Sequence, residues 1–319
     1  ASSNLHSRVK TSVATPSHSR PRPTHTSTAM QHTHITADRS GLTLPIMPIL
    51  VLLFATPAAA QEFGVYTKVF NLSGRDTKAT PTVIVRSLTL FRSGNAYDTI
   101  HSGGEVTIFE PGRRRFVIVN GPRRLTTEVS FDEIETQLKK AEGATREYIA
   151  ELNRKDDTLS RASAAPLLGQ LDPGFSEQFD PGSATLTLPG RSFRYHVKCT
   201  STPDTLNIDR LAFNAARGRY LEYTDWTARL NYLLHPRALF PTPRVALNRT
   251  LKTRKLLPLT VELKDNSTGG FHLRAEHQYH WQLTGKDRDD IRHWESLRTT
   301  TTLRKVTFDE YRRRLVSRR

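Results

Sequence analysis

The densest group of side chains that could carry chemistry lies in residues 220–237, where acidic, basic and imidazole groups share one predicted helix. Asp225 and Arg229 are four residues apart, so on a helix they share a face and can form an ion pair. His235 follows at the C-terminal end, where the helix dipole favours a protonated imidazole. These three are the candidate catalytic residues, with Asp225 and His235 as an acid–base pair. The alternative is a packed helix with one structural ion pair.

A second group, His272, Glu276 and His280, suggests a metal site by composition. On a strand these side chains share one face, but the outer two stand ~13 Å from the middle one. Metal ligands must converge to ~2.1 Å from one ion, so the strand geometry argues against a site. Cys199 is the single cysteine, which excludes an intrachain disulfide and a cysteine-based zinc site. The sequence therefore predicts no metal and no cofactor.

Arginine clusters are the third feature, in a chain with a formal net charge of +16. Arg113 and Arg114 lie in one predicted turn and Arg123 and Arg124 in the next, which makes them candidate anion-binding residues. Successive turns of a meander lie at opposite ends of the sheet, and aromatic residues do not interleave with the clusters. Specific nucleic-acid binding is therefore not expected. Solvated turns are the alternative to an anion-binding surface.

The elements that must position these groups indicate an α+β fold, a twisted antiparallel sheet with helices packed on one side. Residues 83–129 predict a meander, with a Pro111-Gly112 turn between two strands rich in β-branched residues. A helix begins after Ser130, and the Ser-Phe-Asp-Glu pattern there nearly repeats at Thr307. An apolar concave sheet face would bind a ligand through the candidate residues Leu88, Leu90, Ile108 and Val117.

The first 60 residues are predicted to be a polar extension followed by a signal peptide. The apolar run in Leu44–Ala60 is about 13 residues long, too short to span a bilayer, and Ala58-Ala59-Ala60 fits a cleavage site. We expect residues 61–319 to form the exported α+β domain, periplasmic or extracellular, with a division near residue 200 as an open alternative. No transmembrane segment is expected after cleavage.

The common catalytic motifs are absent from the sequence, including the Walker, dinucleotide-binding and nucleophile-elbow patterns. The sequence therefore favours a non-enzymatic envelope protein that binds an apolar or anionic ligand, such as a lipid or an anionic envelope component, or a protein partner. The alternatives are an extracytoplasmic hydrolase using Asp225 and His235, and an anionic-polymer binder working through the arginine clusters.

Two resemblances extend these expectations. The arrangement of Tyr97-Asp98, Glu105 and Arg115-Phe116 with Thr224-Asp225-Trp226 and His235-Pro236-Arg237 resembles a family of exported proteins of unknown function from environmental bacteria. That likeness covers nearly all of residues 61–319 and implies no site residues. Residues 83–129 also resemble, in fold, periplasmic lipoprotein carriers, whose half-open sheet holds acyl chains. The chain departs from the carriers by lacking a helix between the leader and the first strand.

Overall fold

A computed structural model describes residues 62–73, 81–101, 103–155, 157–203, 208–235, 237–267 and 270–316. The predicted leader lies outside these residues. The described strands form one sheet of twelve in the order β12-β6-β5-β4-β3-β2-β1-β11-β10-β9-β8-β7, and every pairing is antiparallel except that of β12 with β6. Strands from both sides of residue 200 therefore share one sheet.

The strands follow the turn chemistry of the sequence. Ser93 and Gly94 connect β2 to β3 with φ of 51° and 83°, the left-handed pair that a two-residue hairpin requires. Arg114 has φ of 50° after the short turn at Pro111–Arg113, which connects β4 to β5. The strands are β1 (Phe63–Asn71), β2 (Thr82–Arg92), β3 (Asn95–Ile100), β4 (Glu105–Glu110), β5 (Arg115–Asn120), β6 (Leu125–Ser130), β7 (Gln178–Asp180), β8 (Thr185–Pro189), β9 (Phe193–Thr200), β10 (Leu257–Asp265), β11 (His272–His280) and β12 (Arg304–Lys305).

Side-chain caps mark where the helices begin. The Ser130 hydroxyl accepts from the Glu133 amide at 3.1 Å, and Thr307 accepts from Glu310 at 3.2 Å, so both copies of the near-repeat start a helix. Asp209 caps the third helix, which therefore begins ten residues before Tyr220, earlier than its apolar pattern indicates. The helices are α1 (Phe131–Arg154), α2 (Thr158–Leu171), α3 (Arg210–Leu234), α4 (Thr242–Thr253), α5 (Gly285–Thr299) and α6 (Phe308–Val316).

Five of these helices pack on one face of the sheet. The main core joins sheet residues such as Phe63 and Phe116 to α1, α2, α3, α4 and α6. The helix α5 instead covers the opposite face of β2–β5, where Ile291 and its neighbours form a second core. The α+β prediction is confirmed, while α5 adds a helix on the face that was expected to be free. The reason is that β5 is apolar on both sides: every residue from Phe116 to Asn120 is buried. No helix in the described residues is long and apolar enough to cross a membrane.

Candidate functional site

The middle of the helix-facing sheet surface carries polar side chains in an otherwise apolar layer. Thr67 of β1 lies opposite His277 of β11, and Thr89 of β2 lies opposite Asp98 of β3. Alternation along each strand places all four on the same side as the core residues Phe63 and Phe91. Helix α3 packs above them through its own core residues. Buried polar groups require hydrogen-bond partners, so the partners of these four side chains define the candidate site.

His277 is held in its neutral form. Its Nδ1 lies 2.9 Å from the Thr67 hydroxyl, and its Nε2 lies 3.3 Å from the Tyr220 hydroxyl. Burial, and to a lesser extent the nearby charge of Arg244, lower the pKa of His277 to about 3. A neutral imidazole has one N–H donor and one acceptor nitrogen, so this ring adds no positive charge to the interior.

Arg244 is the cation whose charge lowers the pKa of His277. A chain of two polar side chains, Asn248 and then Asp225, orients its guanidinium. Its Nε donates to Oδ1 of Asn248 at 3.1 Å. Asn248 is 2% exposed, and its amide nitrogen donates in turn to Oδ1 of Asp225 at 2.7 Å. Asp225 thereby orients the amide that fixes Arg244. Among the described residues, no carboxylate lies within ion-pair distance of this half-buried guanidinium, and its hydrogen-bond partners, the Asn248 amide and the Tyr220 hydroxyl, are neutral.

The charge of Arg244 acts on three tyrosines as well as on the histidine: Tyr195 of β9, Tyr220 of α3 and Tyr279 of β11. Burial raises the pKa of Tyr195 to about 12 and raises that of Tyr220, and Arg244 opposes the rise in both. Burial likewise raises the pKa of Tyr279, whose hydroxyl donates to the Pro258 carbonyl at 2.8 Å. All three phenols therefore stay protonated. We call Arg244, His277 and these three tyrosines the Arg244 site.

Asp98 is a separate interior acid. The Thr89 hydroxyl donates to its Oδ1 at 2.6 Å. Burial raises the pKa of Asp98 to about 6, although hydrogen bonds from Thr89 and Tyr223 oppose the rise. The carboxyl group has neutral partners and forms no ion pair with the other described residues. It is therefore ionised at neutral pH and gains a proton in mildly acidic solution.

Beside the Arg244 site, the helix-facing sheet surface is incompletely covered. Val69 follows Thr67 on the same face of β1 and pairs with Val85, and both valines are half-buried without joining the main core. Ser87 and Ala275 are also half-buried, and Ile100 is 46% exposed. These five residues form a mainly apolar surface that adjoins Thr67 and His277, and we call it the trough.

The expected ion pair between Asp225 and Arg229 does not form, and His235 lies far from Asp225. Asp225 contacts Asn248, while Arg229 donates to the Asp225 backbone carbonyl at 2.9 Å and lies over the Trp226 ring at 5.1 Å. His235 is the exposed C-cap of α3. Ten residues of helix separate it from Asp225, a rise of about 15 Å. Asp225 and His235 therefore do not meet in a cleft.

The four candidate ligand-binding residues lie beneath α5. Leu90, Ile108 and Val117 are at most 1% exposed and belong to the second core, and Leu88 packs against it. Alternation puts them on the sheet face opposite the Arg244 site. They stabilise the packing of α5 and line no open surface, because Leu283 and Ile291 fill the space above them.

The candidate anion-binding arginines lie in two turns at opposite ends of β5. Arg113 and Arg114 are exposed and approach Glu110 at 3.7 Å and Asp132 at 2.8 Å. Arg123 donates to the backbone carbonyl of Arg314 at 2.6 Å. Arg124 is exposed in the second turn, with φ of 51°. The two clusters do not join into one surface.

The residues of the Arg244 site form no local motif in the sequence, because they come from four elements, β9, α3, α4 and β11. One clue was available. Strand alternation places His277 and Tyr279 on the face opposite His272 and His280, so those two rings had to enter the interior. Within the described residues, no group of three or more His, Cys, Asp or Glu side chains could hold a metal ion.

Comparisons with known proteins do not assign this chain to a family. The sequence matches no protein-family model, and a search of curated proteins found no match. Function must therefore be argued from the site itself.

Proposed function

We propose that the chain is an exported binding protein for a small amphiphile with one anionic group. In this proposal the guanidinium of Arg244 binds the carboxylate or phosphate, and the trough receives the apolar part. The Tyr220 hydroxyl and the neutral His277 ring lie beside the charge and can share its hydrogen bonds. Export belongs to the proposal and is supported by the pattern of Leu44–Ala60.

The observation that carries the proposal is the charge of Arg244. A half-buried guanidinium costs free energy unless anionic partners compensate it, and the partners of this one, the Asn248 amide and the Tyr220 hydroxyl, are neutral. Arginine carries five N–H donors in a planar fork that suits carboxylate and phosphate oxygens. The chain places Asn248 and Asp225 behind the arginine, where they orient it without neutralising it directly. An incoming anion would supply the missing charge.

The structure gives no contacts that support the two alternative functions, a hydrolase and an anionic-polymer binder. A hydrolase built on Asp225 and His235 would need the two groups together, and α3 holds them apart. A polymer-binding surface would need the arginine clusters to join, and they lie at opposite ends of β5. The proposed ligand site therefore consists of the Arg244 site and the trough, and it includes neither His235 nor the arginine clusters.

The test uses the full chain and a fluorescent probe, 11-(dansylamino)undecanoic acid, in a binding titration. We expect Arg244→Gln to weaken binding of the probe about 10- to 100-fold, because a charge-assisted hydrogen bond contributes about 1.5–3 kcal/mol. Arg249→Gln is the matched control, since Arg249 lies on the same helix with an exposed side chain. Binding of the probe's methyl ester should be insensitive to either change.

Equal affinity of the acid for the wild-type and Arg244→Gln proteins would refute the anion-binding role. Native mass spectrometry of protein purified from an exporting host would measure the mass of a bound natural ligand. The mass of the chain itself would show at which residue the secreted form begins. A secreted form that retains residues before Gln61 would contradict the signal-peptide part of the proposal.

A further inference from the structure

A concave surface lies between α1, α3 and α6. It is a groove with a volume of about 980 Å³. It shares no residue with the Arg244 site or the trough, so it needs an account of its own. We call it the three-helix groove, and its apolar floor consists of Ala141, Ala144, Tyr232, Leu233, Leu234 and Val316.

The floor is shallow on the side of α1. Ala141 is half-buried and Ala144 is exposed, so α1 presents short side chains to the groove. Tyr148, four residues beyond Ala144 and 50% exposed, extends the same side of the helix. Val316 of α6 is 56% exposed on the other bank. Short side chains in a groove allow another helix to approach closely, since interaxial distance depends on the side chains at the contact.

The charge around this floor is positive. Lys140 of α1 and Arg313 of α6 are exposed on opposite banks, and neither forms an ion pair among the described residues. Arg312 is already engaged, because it donates to the Leu233 carbonyl and to Gln137, each at 2.7 Å. The acidic residue of the lining, Asp309, lies 3.6 Å from Arg312. The charges left for an occupant are therefore two cations, one on each bank.

We propose that the three-helix groove docks an amphipathic helix of a partner protein, with acidic residues on both sides of its apolar stripe. Three helices already wall the groove, and a fourth would complete a bundle-like packing. Acidic side chains on either flank of that helix would reach Lys140 and Arg313. This interaction goes beyond the ligand binding proposed above and is independent of it, because it uses a different surface.

The experiment measures the anisotropy of two fluorescein-labelled 16-residue helical peptides with the full chain. Both peptides carry the same leucine stripe, flanked by glutamate in one and by lysine in the other. We expect the glutamate peptide to bind at least about fivefold more tightly at low salt, an advantage that falls with ionic strength. The double variant Lys140→Glu, Arg313→Glu should reverse the preference.

A steric variant tests the location. Ala144→Trp fills the floor and should weaken the glutamate peptide about tenfold or more. Ala150→Trp is the matched control, because Ala150 is exposed about 120° around α1 from Ala144. Equal binding of the two peptides, or an Ala144→Trp protein that binds like the control, would overturn the proposal. Binding of dodecanoate that Ala144→Trp abolishes, without peptide binding, would also overturn it and assign the groove to a lipid.

Discussion

Glu110 joins the meander to α5, and its replacement by Gln should loosen that junction. The side chain is 5% exposed, at the end of β4. Its Oε2 accepts from Nε of Arg115 at 2.7 Å, and its Oε1 accepts from Arg298 of α5 at 2.7 Å. Gln keeps the size of Glu but removes the charge, so two partly buried guanidinium groups lose their shared carboxylate.

The magnitude follows from what each arginine retains. Removing one partner of a buried ion pair costs about 3–5 kcal/mol. Arg115 keeps Glu128 at 2.6 Å and Arg298 keeps Glu295 at 3.5 Å, so the cost should fall at the lower end, about 3 kcal/mol. For a domain of this size that corresponds to a melting temperature lower by about 6–12 °C.

Thermal unfolding followed by circular dichroism measures the effect, and Glu142→Gln is the control. Glu142 forms an exposed pair with Arg146 on α1, and its replacement should cost at most about 0.5 kcal/mol. Glu110→Gln and Glu142→Gln proteins of equal stability would refute the reasoning.

The pH dependence of Glu110→Gln gives a second check. Burial by itself raises the pKa of Glu110, but hydrogen bonds and charges from Arg298 and Arg115 outweigh it and leave the pKa below the ordinary value of 4.5. A lowered pKa in the folded state gives stability that is present above the unfolded pKa and is lost as pH falls through the folded one. The difference in the free energy of unfolding between the wild-type and Glu110→Gln proteins should therefore become smaller below about pH 4.

Two further predictions concern interior groups. Asp98→Asn should stabilise the protein at pH 7 by up to about 3 kcal/mol, because the raised pKa of Asp98, about 6 against 3.8, makes its ionisation unfavourable in the folded state. The wild type should lose stability as pH rises from about 4 to about 6 and the variant should not, and parallel urea titrations across that range would contradict this. Cys199 is 6% exposed and burial raises its thiol pKa to about 12, so N-ethylmaleimide should label it only after unfolding, as mass spectrometry would show. Rapid labelling of the folded protein would place the thiol at the surface.

Much of the sheet could be predicted because its turns are local. The Pro111-Gly112 turn and the Ser93-Gly94 pair fix two hairpins within a few residues of sequence, and the Ser130 cap marks the start of α1. The unexpected side for α5 had a visible cause. Phe116–Val119 shows no polar alternation, and a strand buried on both faces needs a layer on each side.

The site could not be predicted because its parts meet only through the sheet order. Arg244 of α4 and His277 of β11 come from different elements, and the charge of Arg244 acts on the imidazole only after the sheet and the helices have packed together. The helical spacing of Asp225 and Arg229 predicts an ion pair between them. The Asp225 carboxylate instead accepts a hydrogen bond from Asn248, 23 residues further along the chain. A spacing rule describes contacts within one helix and carries no information about a neighbouring helix.

The place of β1 in the sheet sets the order in which the protein can assemble. The strand lies between β2, which follows at once, and β11, with Gly64 paired to His280. A nascent chain can complete the meander early, but one whole side of β1 then exposes nine residues of unpaired backbone. Such an edge is open to pairing with other chains until β11 emerges. The vulnerable interval of biogenesis is therefore the synthesis of the 200 residues that separate β1 from β11.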